Sequence, residues 1–175
     1  MTPATRWALE PVTNPAVLRL HVDAELTART IATCPPEEPP APLAPVLDVE
    51  GVRSLDLHRY RARLNLDADA DAQVVAGRVS DAIVPGWGEA VELPSDEGPK
   101  AFESVGEGPR RVAESLEMAE RSRDVRLLAL FDVDGVAEVV AGEGLVLVRL
   151  GRLFGWDERM RSRVSAAVAA GGSVS

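Results

Sequence analysis

The strongest constraint in the sequence is an internal repeat, in which residues 43–66 align with residues 127–150 at a constant offset of 84. Six of the 24 aligned positions are identical, and the match centres on Asp48-Val49-Glu50-Gly51-Val52 and Asp132-Val133-Asp134-Gly135-Val136. In both segments an apolar helix end runs into a glycine turn and then into a strand. The sequence therefore predicts two diverged copies of one small structural unit.

Each copy is predicted to contain a pair of strands followed by an amphipathic helix. In copy one the strands cover residues 54–57 and 60–66, and the helix covers residues 71–84. In copy two the strands cover residues 137–141 and 145–150, and the helix covers residues 157–170. A further strand is predicted over 17–22, and a further helix over 109–122. The predicted fold class is α+β, with two tandem β-β-α-β-β-α repeats, antiparallel or mixed sheets, and helices packed on one face. The predicted domains are residues 1–86 and 87–175.

Charge and cysteine usage exclude several classes of function. The chain has 28 acidic and 19 basic residues, and its net charge of -9 disfavours nucleic acid and anionic membrane surfaces as partners. Cys34 is the single cysteine, so neither an intrachain disulfide nor a cluster of thiolate ligands is available. The sequence has no apolar run of the length that a signal peptide or membrane span needs, which predicts a cytoplasmic protein.

Three segments carry a resemblance to a known family. They are Glu10-Pro11-Val12-Thr13-Asn14-Pro15-Ala16-Val17-Leu18-Arg19-Leu20, then Pro42-Leu43-Ala44, and then Leu47-Asp48-Val49-Glu50-Gly51-Val52. This pattern resembles the N-terminal domain of Nfu/NifU-type iron-sulfur scaffold proteins, and it covers roughly the first half of the chain. The resemblance implies an α/β accessory unit, whereas the family's cluster is held by a separate domain through a Cys-x-x-Cys pair.

The sequence lacks such a pair, because Cys34 has no second thiol. We therefore expect a non-catalytic protein-interaction module without a cofactor. Any role in iron-sulfur cluster assembly would then act through contacts with assembly components.

One candidate binding surface is the alternation of Arg59, Arg61 and Arg63. Side chains alternate between the two faces of a strand, so a strand over 60–66 would place Ala62 inward and the three arginines outward. The alternation is explained either by a solvated sheet face or by a site for an anion or an acidic protein partner, since guanidinium groups bind carboxylates well.

The positions that match Arg61 and Arg63 in copy two are Leu145 and Leu147, so this strand is apolar on both sides. A strand of that kind should be covered on both faces. The candidate covers are the additional helix over 109–122, the other copy, a partner protein or a second subunit, and the last possibility would make the chain a structural homodimer.

Trp87 and Trp156 lie beside glycines near the ends of the two copies. Each is a candidate anchor for a partner, although a tryptophan in such a position also commonly closes a small core.

His21 and His58 support a rival hypothesis, a metal-dependent or small-molecule enzyme. If their strands are adjacent, the two imidazoles could bind a metal together with Asp23 or Asp56. The alternation Asp67, Asp69, Asp71 resembles the start of a calcium loop, but Ala72 and Arg78 occupy positions that require glycine and glutamate. These aspartates are therefore better explained as a cap for the following helix.

Overall fold

The computed structural model describes residues 4–34, 39–105 and 108–172. The chain divides into two compact units, Met1–Pro94 (unit 1) and Ser95–Ser175 (unit 2). Each unit combines helices with one four-stranded antiparallel sheet, so the α+β class is confirmed.

The described residues of unit 1 form four strands, a 3-10 turn at Ala41–Leu43 and two helices. Along the chain these are β1 (Trp7–Pro11), β2 (Val17–Val22), α1 (Ala44–Leu47), β3 (Val52–His58), β4 (Arg61–Leu66) and α2 (Ala72–Trp87). The strand order in the sheet is β1-β2-β4-β3, and all neighbouring strands are antiparallel.

In the part of unit 2 that the structure describes there are four strands and three helices. These are β5 (Lys100–Glu103), β6 (Arg111–Ala113), α3 (Leu116–Ser122), α4 (Val125–Phe131), β7 (Val136–Ala141), β8 (Leu145–Leu150) and α5 (Glu158–Gly172). The strand order in the sheet is β5-β8-β7-β6, again antiparallel throughout.

Each unit has its own apolar core between one face of the sheet and the helices. In unit 1 the periodic apolar residues of α2, Val75, Val79 and Ile83, are buried with residues of the sheet such as Leu20 and Leu64. In unit 2 the corresponding residues of α5 are buried with the sheet, namely Met160, Val164 and Val168. The helical spacing of apolar residues thus identified the buried face of both helices.

The central hairpins of the two units share their register. Val52 pairs with Leu66 and Val136 pairs with Leu150, and each hairpin has an irregularity immediately after this pair. The local geometry therefore repeats at the offset of 84, whereas the origin of the two units by duplication stays a prediction.

The strands that flank the central hairpins do not repeat in the same way. Arg19 on β2 lies opposite Arg63, and Ala101 on β5 lies opposite Leu147, so β2 and β5 correspond at an offset of 82. A shift of two residues keeps the same side chains on each face. Unit 1 adds β1 next to β2, while unit 2 adds β6 next to β7.

The helix predicted over 109–122 is wrong for its first half. Arg111–Ala113 is the strand β6, and α3 begins only at Leu116. The side chain of Ser115 accepts a hydrogen bond from the backbone N–H of Met118 and caps the helix at that point.

The chain around residue 86 belongs to unit 1. Helix α2 continues through Pro85 to Trp87, and the N–H of Gly88 donates to the carbonyl oxygen of Val84. Further along, the N–H of Val91 donates to the carbonyl oxygen of Trp7 at 2.8 Å. The division between the compact units therefore follows Pro94 rather than residue 86.

Candidate functional site

The candidate site in unit 1 lies on the sheet face opposite the core. Cross-strand pairing places His21 beside Arg61 and Arg61 beside His58. The next row on the same face places Arg19 opposite Arg63. The strands thus bring Arg61 and Arg63 together with an arginine that is distant in sequence.

Arg19 and Arg63 are the accessible members of this cluster. The side chain of Arg19 is 44% exposed, and its nearest carboxylate oxygen, on Glu10, is 3.9 Å away. Arg63 is exposed and makes no ion pair within the described residues. Glu10 lies opposite Arg19 and Asp56 lies opposite Arg63 at the two ends of this row, so each arginine has one acidic and one basic neighbour. The two arginines still repel each other, and an incoming anion would reduce that repulsion.

Sequence reasoning missed Arg19. The pattern Val17-Leu18-Arg19-Leu20 does show that Arg19 points away from the core. Its position beside Arg63, however, depends on the pairing of β2 with β4, which the pattern does not contain.

The placement of Arg59 on this face is wrong. Arg59 and Tyr60 form the turn between β3 and β4, and Arg59 is buried. Its Nε donates to a carboxylate oxygen of Glu25 at 3.0 Å, and its guanidinium lies 5.3 Å from the centre of the Tyr60 ring. Arg59 therefore holds the turn in place and is not available to a partner.

The two histidines are not brought together. β4 runs between β2 and β3, so His21 and His58 lie on opposite sides of Arg61, two strand spacings or about 10 Å apart. His21 is buried, and its Nε2 is hydrogen-bonded to Glu10 Oε2 at 2.7 Å. Within the described residues, no three histidine, cysteine or acidic side chains converge on a position that could hold a metal ion.

The corresponding face of unit 2 is apolar. One cross-strand row runs through all four strands and consists of Ala101, Leu147, Val140 and Val112. Leu145, on the same face, and Val112 are each 43% exposed. The helix predicted over 109–122, one of the candidate covers, does not cover this face. Val112 itself belongs to β6, and Ala119 of α3 is buried in the core on the other face.

The two candidate tryptophans differ in their burial. Trp156 is buried in the core of unit 2, with its ring centre 5.7 Å from that of Phe102, which excludes it as an exposed anchor. Trp87 ends α2 and packs, partly buried, against the core of unit 1. The sequence reasoning also missed Trp7, which is fully buried and whose Nε1–H donates to the carbonyl oxygen of Gly88 at 2.8 Å.

Two further sequence features also have local explanations. The carboxylate of Asp71 accepts the N–H groups of Gln73 and Val74, so it caps α2 as the capping interpretation predicted. Cys34 is buried in the core of unit 1. Its thiol is therefore poorly placed to pair with a thiol of another chain.

Asp124 and Arg126 form a buried ion pair in unit 2. Both side chains are less than 10% exposed, and Arg126 Nη2 lies 2.6 Å from Asp124 Oδ2. The hydrogen bond from Arg126 is the main reason that the pKa of Asp124 lies below its usual value, although burial opposes this shift. Arg126 also donates to the carbonyl oxygen of Gly142, so the pair joins α4 to the turn between β7 and β8.

Unit 2 also contains an open groove of about 450 Å³ between β5 and α5. Its polar lining groups are Glu103, Ser104 and Ser165, and the remaining lining residues are apolar.

Comparisons with known proteins identify no family. No family model matches the sequence, and no curated protein matches it. Among solved structures, protein SAV1430 from Staphylococcus aureus is similar at 18% identity, covering 44% of this chain and 96% of that chain with a TM-score of 0.37. A TM-score this low does not establish a shared fold. No helix in the described part of the chain has the length and apolar character that crossing a bilayer requires.

Proposed function

We propose that this chain is a non-catalytic protein-interaction module, and that unit 1 binds an acidic segment of a partner protein through Arg19 and Arg63. The observation that carries the proposal is the direct opposition of these two arginines on β2 and β4. Arg61, on the same strand as Arg63, extends the basic surface toward His58.

Electrostatics supports a carboxylate-rich partner. The chain carries a net charge of -9, so a local cluster of arginines contrasts with an acidic protein and provides a place where an acidic partner can approach. A guanidinium group can donate two parallel hydrogen bonds to one carboxylate, and a segment with successive acidic residues could engage both arginines. The acidic charge of the whole chain disfavours nucleic acid as the ligand.

The link to iron-sulfur cluster assembly rests on the sequence resemblance. It makes acidic segments of assembly components the partners to test first. The module would act through surface contacts without its own cluster or other cofactor. The alternative, a metal-dependent enzyme, requires His21 and His58 to be adjacent, and β4 separates them.

Binding of a labelled glutamate-rich peptide, measured by fluorescence anisotropy at low salt, tests the surface. The double variant Arg19→Ala/Arg63→Ala should bind at least about tenfold more weakly, since each lost charged hydrogen bond is worth about 1.5–3 kcal/mol. Arg29→Ala is the control, because Arg29 is an exposed arginine outside the sheet. Equal binding by the native chain and the double variant would contradict the proposal.

A pulldown tests the assembly link separately. The native chain should recover assembly components from lysate, and the double variant should not. Binding of the peptide without recovery of any assembly component would keep the acidic-partner proposal and refute the link.

A further inference from the structure

The sheet face of unit 2 that lies opposite its core has three cross-strand rows. The central row, Ala101, Leu147, Val140 and Val112, is apolar from one edge of the sheet to the other. We call these four residues and Leu145 the apolar face.

Opposite charges flank the apolar face in a regular arrangement. On one side Arg149 of β8 lies opposite Glu138 of β7, with Nε and Oε2 3.6 Å apart. On the other side Glu103 lies at the β5 edge opposite Leu145. Arg110 directly precedes β6, which forms the opposite edge of the sheet, and it is exposed.

This arrangement is complementary to itself. Suppose that a second copy packs face to face about a two-fold axis that runs parallel to the strands, between β7 and β8. Each row of one copy then lies over the same row of the second copy, with the order of the strands reversed. Leu147 then packs on Val140 of the second copy, and Arg149 faces Glu138 of the second copy. Glu103 faces Arg110 of the second copy, and the same three contacts occur again with the copies exchanged.

We propose that the apolar face of unit 2 binds a second copy of this chain in this two-fold arrangement. The equivalent face of unit 1 cannot form the same contact, because charged residues replace the apolar ones. Arg61, Arg63 and Asp56 occupy the positions of Leu145, Leu147 and Val140. The inference does not depend on the proposed binding of an acidic partner, because it uses neither Arg19 nor Arg63.

The size of the face predicts the strength of the dimer. Four strands at a spacing of about 4.8 Å and three rows give about 300 Å² per copy, well below the roughly 800 Å² per partner of a standard interface. The dimer should therefore be weak, with a dissociation constant in the micromolar range or above.

Sedimentation velocity over a range of concentrations tests the dimer. The native chain should shift from monomer to dimer as concentration rises, and Leu147→Glu should remain monomeric with an unchanged circular dichroism spectrum. Val74→Glu is the control, because Val74 is an exposed apolar residue of α2 in unit 1, and this variant should still dimerise. A native chain that is monomeric throughout, or a dimeric Leu147→Glu, overturns the proposal.

Charge reversal tests the orientation and does not require a change in the apolar face. Within one copy, Glu103 and Arg110 lie at opposite edges of the sheet, three strand spacings or about 14 Å apart, so they interact directly only across the interface. Glu103→Arg and Arg110→Glu should each raise the dissociation constant about tenfold, since each affects two symmetric contacts.

The double variant Glu103→Arg/Arg110→Glu should restore the native dissociation constant. A double variant that dimerises as weakly as the single variants would overturn the proposed orientation. This test also applies if Leu147→Glu fails to fold. The single variants should bind the acidic peptide normally, which separates failure of the dimer from failure of the proposed function.

Discussion

Gly51 and Gly135 have the same left-handed backbone conformation, with φ of 97° and 100°. The carbonyl oxygen of each accepts a backbone hydrogen bond at 2.9 Å, from Asp67 in unit 1 and from Gly151 in unit 2. Each glycine thereby links the start of a hairpin to the residue that follows its second strand. This relationship is the most detailed point of agreement between the two units.

Alanine should be poorly tolerated at both glycines. A Cβ atom would lie 2.6 Å from Val75 Cγ2 at position 51 and 2.7 Å from Phe154 Cδ1 at position 135, in addition to the strain of positive φ. We expect Gly51→Ala and Gly135→Ala each to lower the free energy of unfolding by about 1–3 kcal/mol, measured by urea denaturation. Gly77→Ala is the control, because it lies in α2 with no atom near the added Cβ, and it should stabilise by about 0.5–1 kcal/mol.

The opposition of Arg19 and Arg63 should reduce stability at low salt. Arg63→Gln removes this repulsion, while the carboxylate of Asp56 on the other side of Arg63 keeps its hydrogen bonds to Thr33 and Asn65. The substitution should therefore raise the free energy of unfolding by about 0.2–1 kcal/mol, an effect that high salt should abolish. Chemical denaturation at two salt concentrations measures this difference. Arg53→Gln serves as the control, because Arg53 lies at the irregularity of β3 outside the paired register. A loss of stability in Arg63→Gln would show that Arg63 contributes to the fold.

The Asp124–Arg126 pair should make the stability of unit 2 depend on pH. Because the folded-state pKa of Asp124 is lowered, its ionised form stabilises the fold at neutral pH, and this contribution is lost as pH falls from about 4 through the folded-state pKa. Asp124→Asn should lower the free energy of unfolding by about 3 kcal/mol at pH 7, because it leaves Arg126 buried beside a neutral group.

The difference between Asp124→Asn and the native chain should shrink as the pH falls below about 4, because the carboxylate of the unfolded native chain becomes protonated there and that of the folded chain follows at lower pH. Denaturation curves measured from pH 7 to pH 3 provide the comparison. The exposed Asp69→Asn should differ from the native chain by less than about 0.5 kcal/mol at pH 7. A constant difference for Asp124→Asn over the whole range would contradict the assignment.

Trp7 should be more important for stability than Trp87. Trp7→Phe keeps most of the buried ring but removes the hydrogen bond to Gly88, so we expect a loss of about 1–3 kcal/mol in unfolding free energy. Trp87→Phe changes a partly buried residue at the end of a helix and should lose less than about 1 kcal/mol. Equal losses in the two variants would refute this ranking.

Local sequence patterns predicted the elements whose contacts are close in sequence. Apolar residues at helical spacing identified the buried faces of α2 and α5, and alternation around the glycine turns identified both central hairpins. The segment 109–122 shows the limit of this approach, because Val112, Leu116 and Ala119 have helical spacing while Val112 lies on a strand. Its pairing with Val140 outweighs the local pattern, and that residue is distant in sequence.

The sequence by itself determined the α+β class, the two hairpins and the amphipathic helices, because each of these follows from the 2-residue and 3.6-residue periods of short segments. Only the tertiary structure decided that Arg19 joins Arg63, that β4 separates His21 from His58, and that Arg59, Trp7 and Arg126 are buried. These outcomes depend on which strands become neighbours. That choice is made by the packing of the whole core, since side chains far apart in sequence must be brought together to bury it.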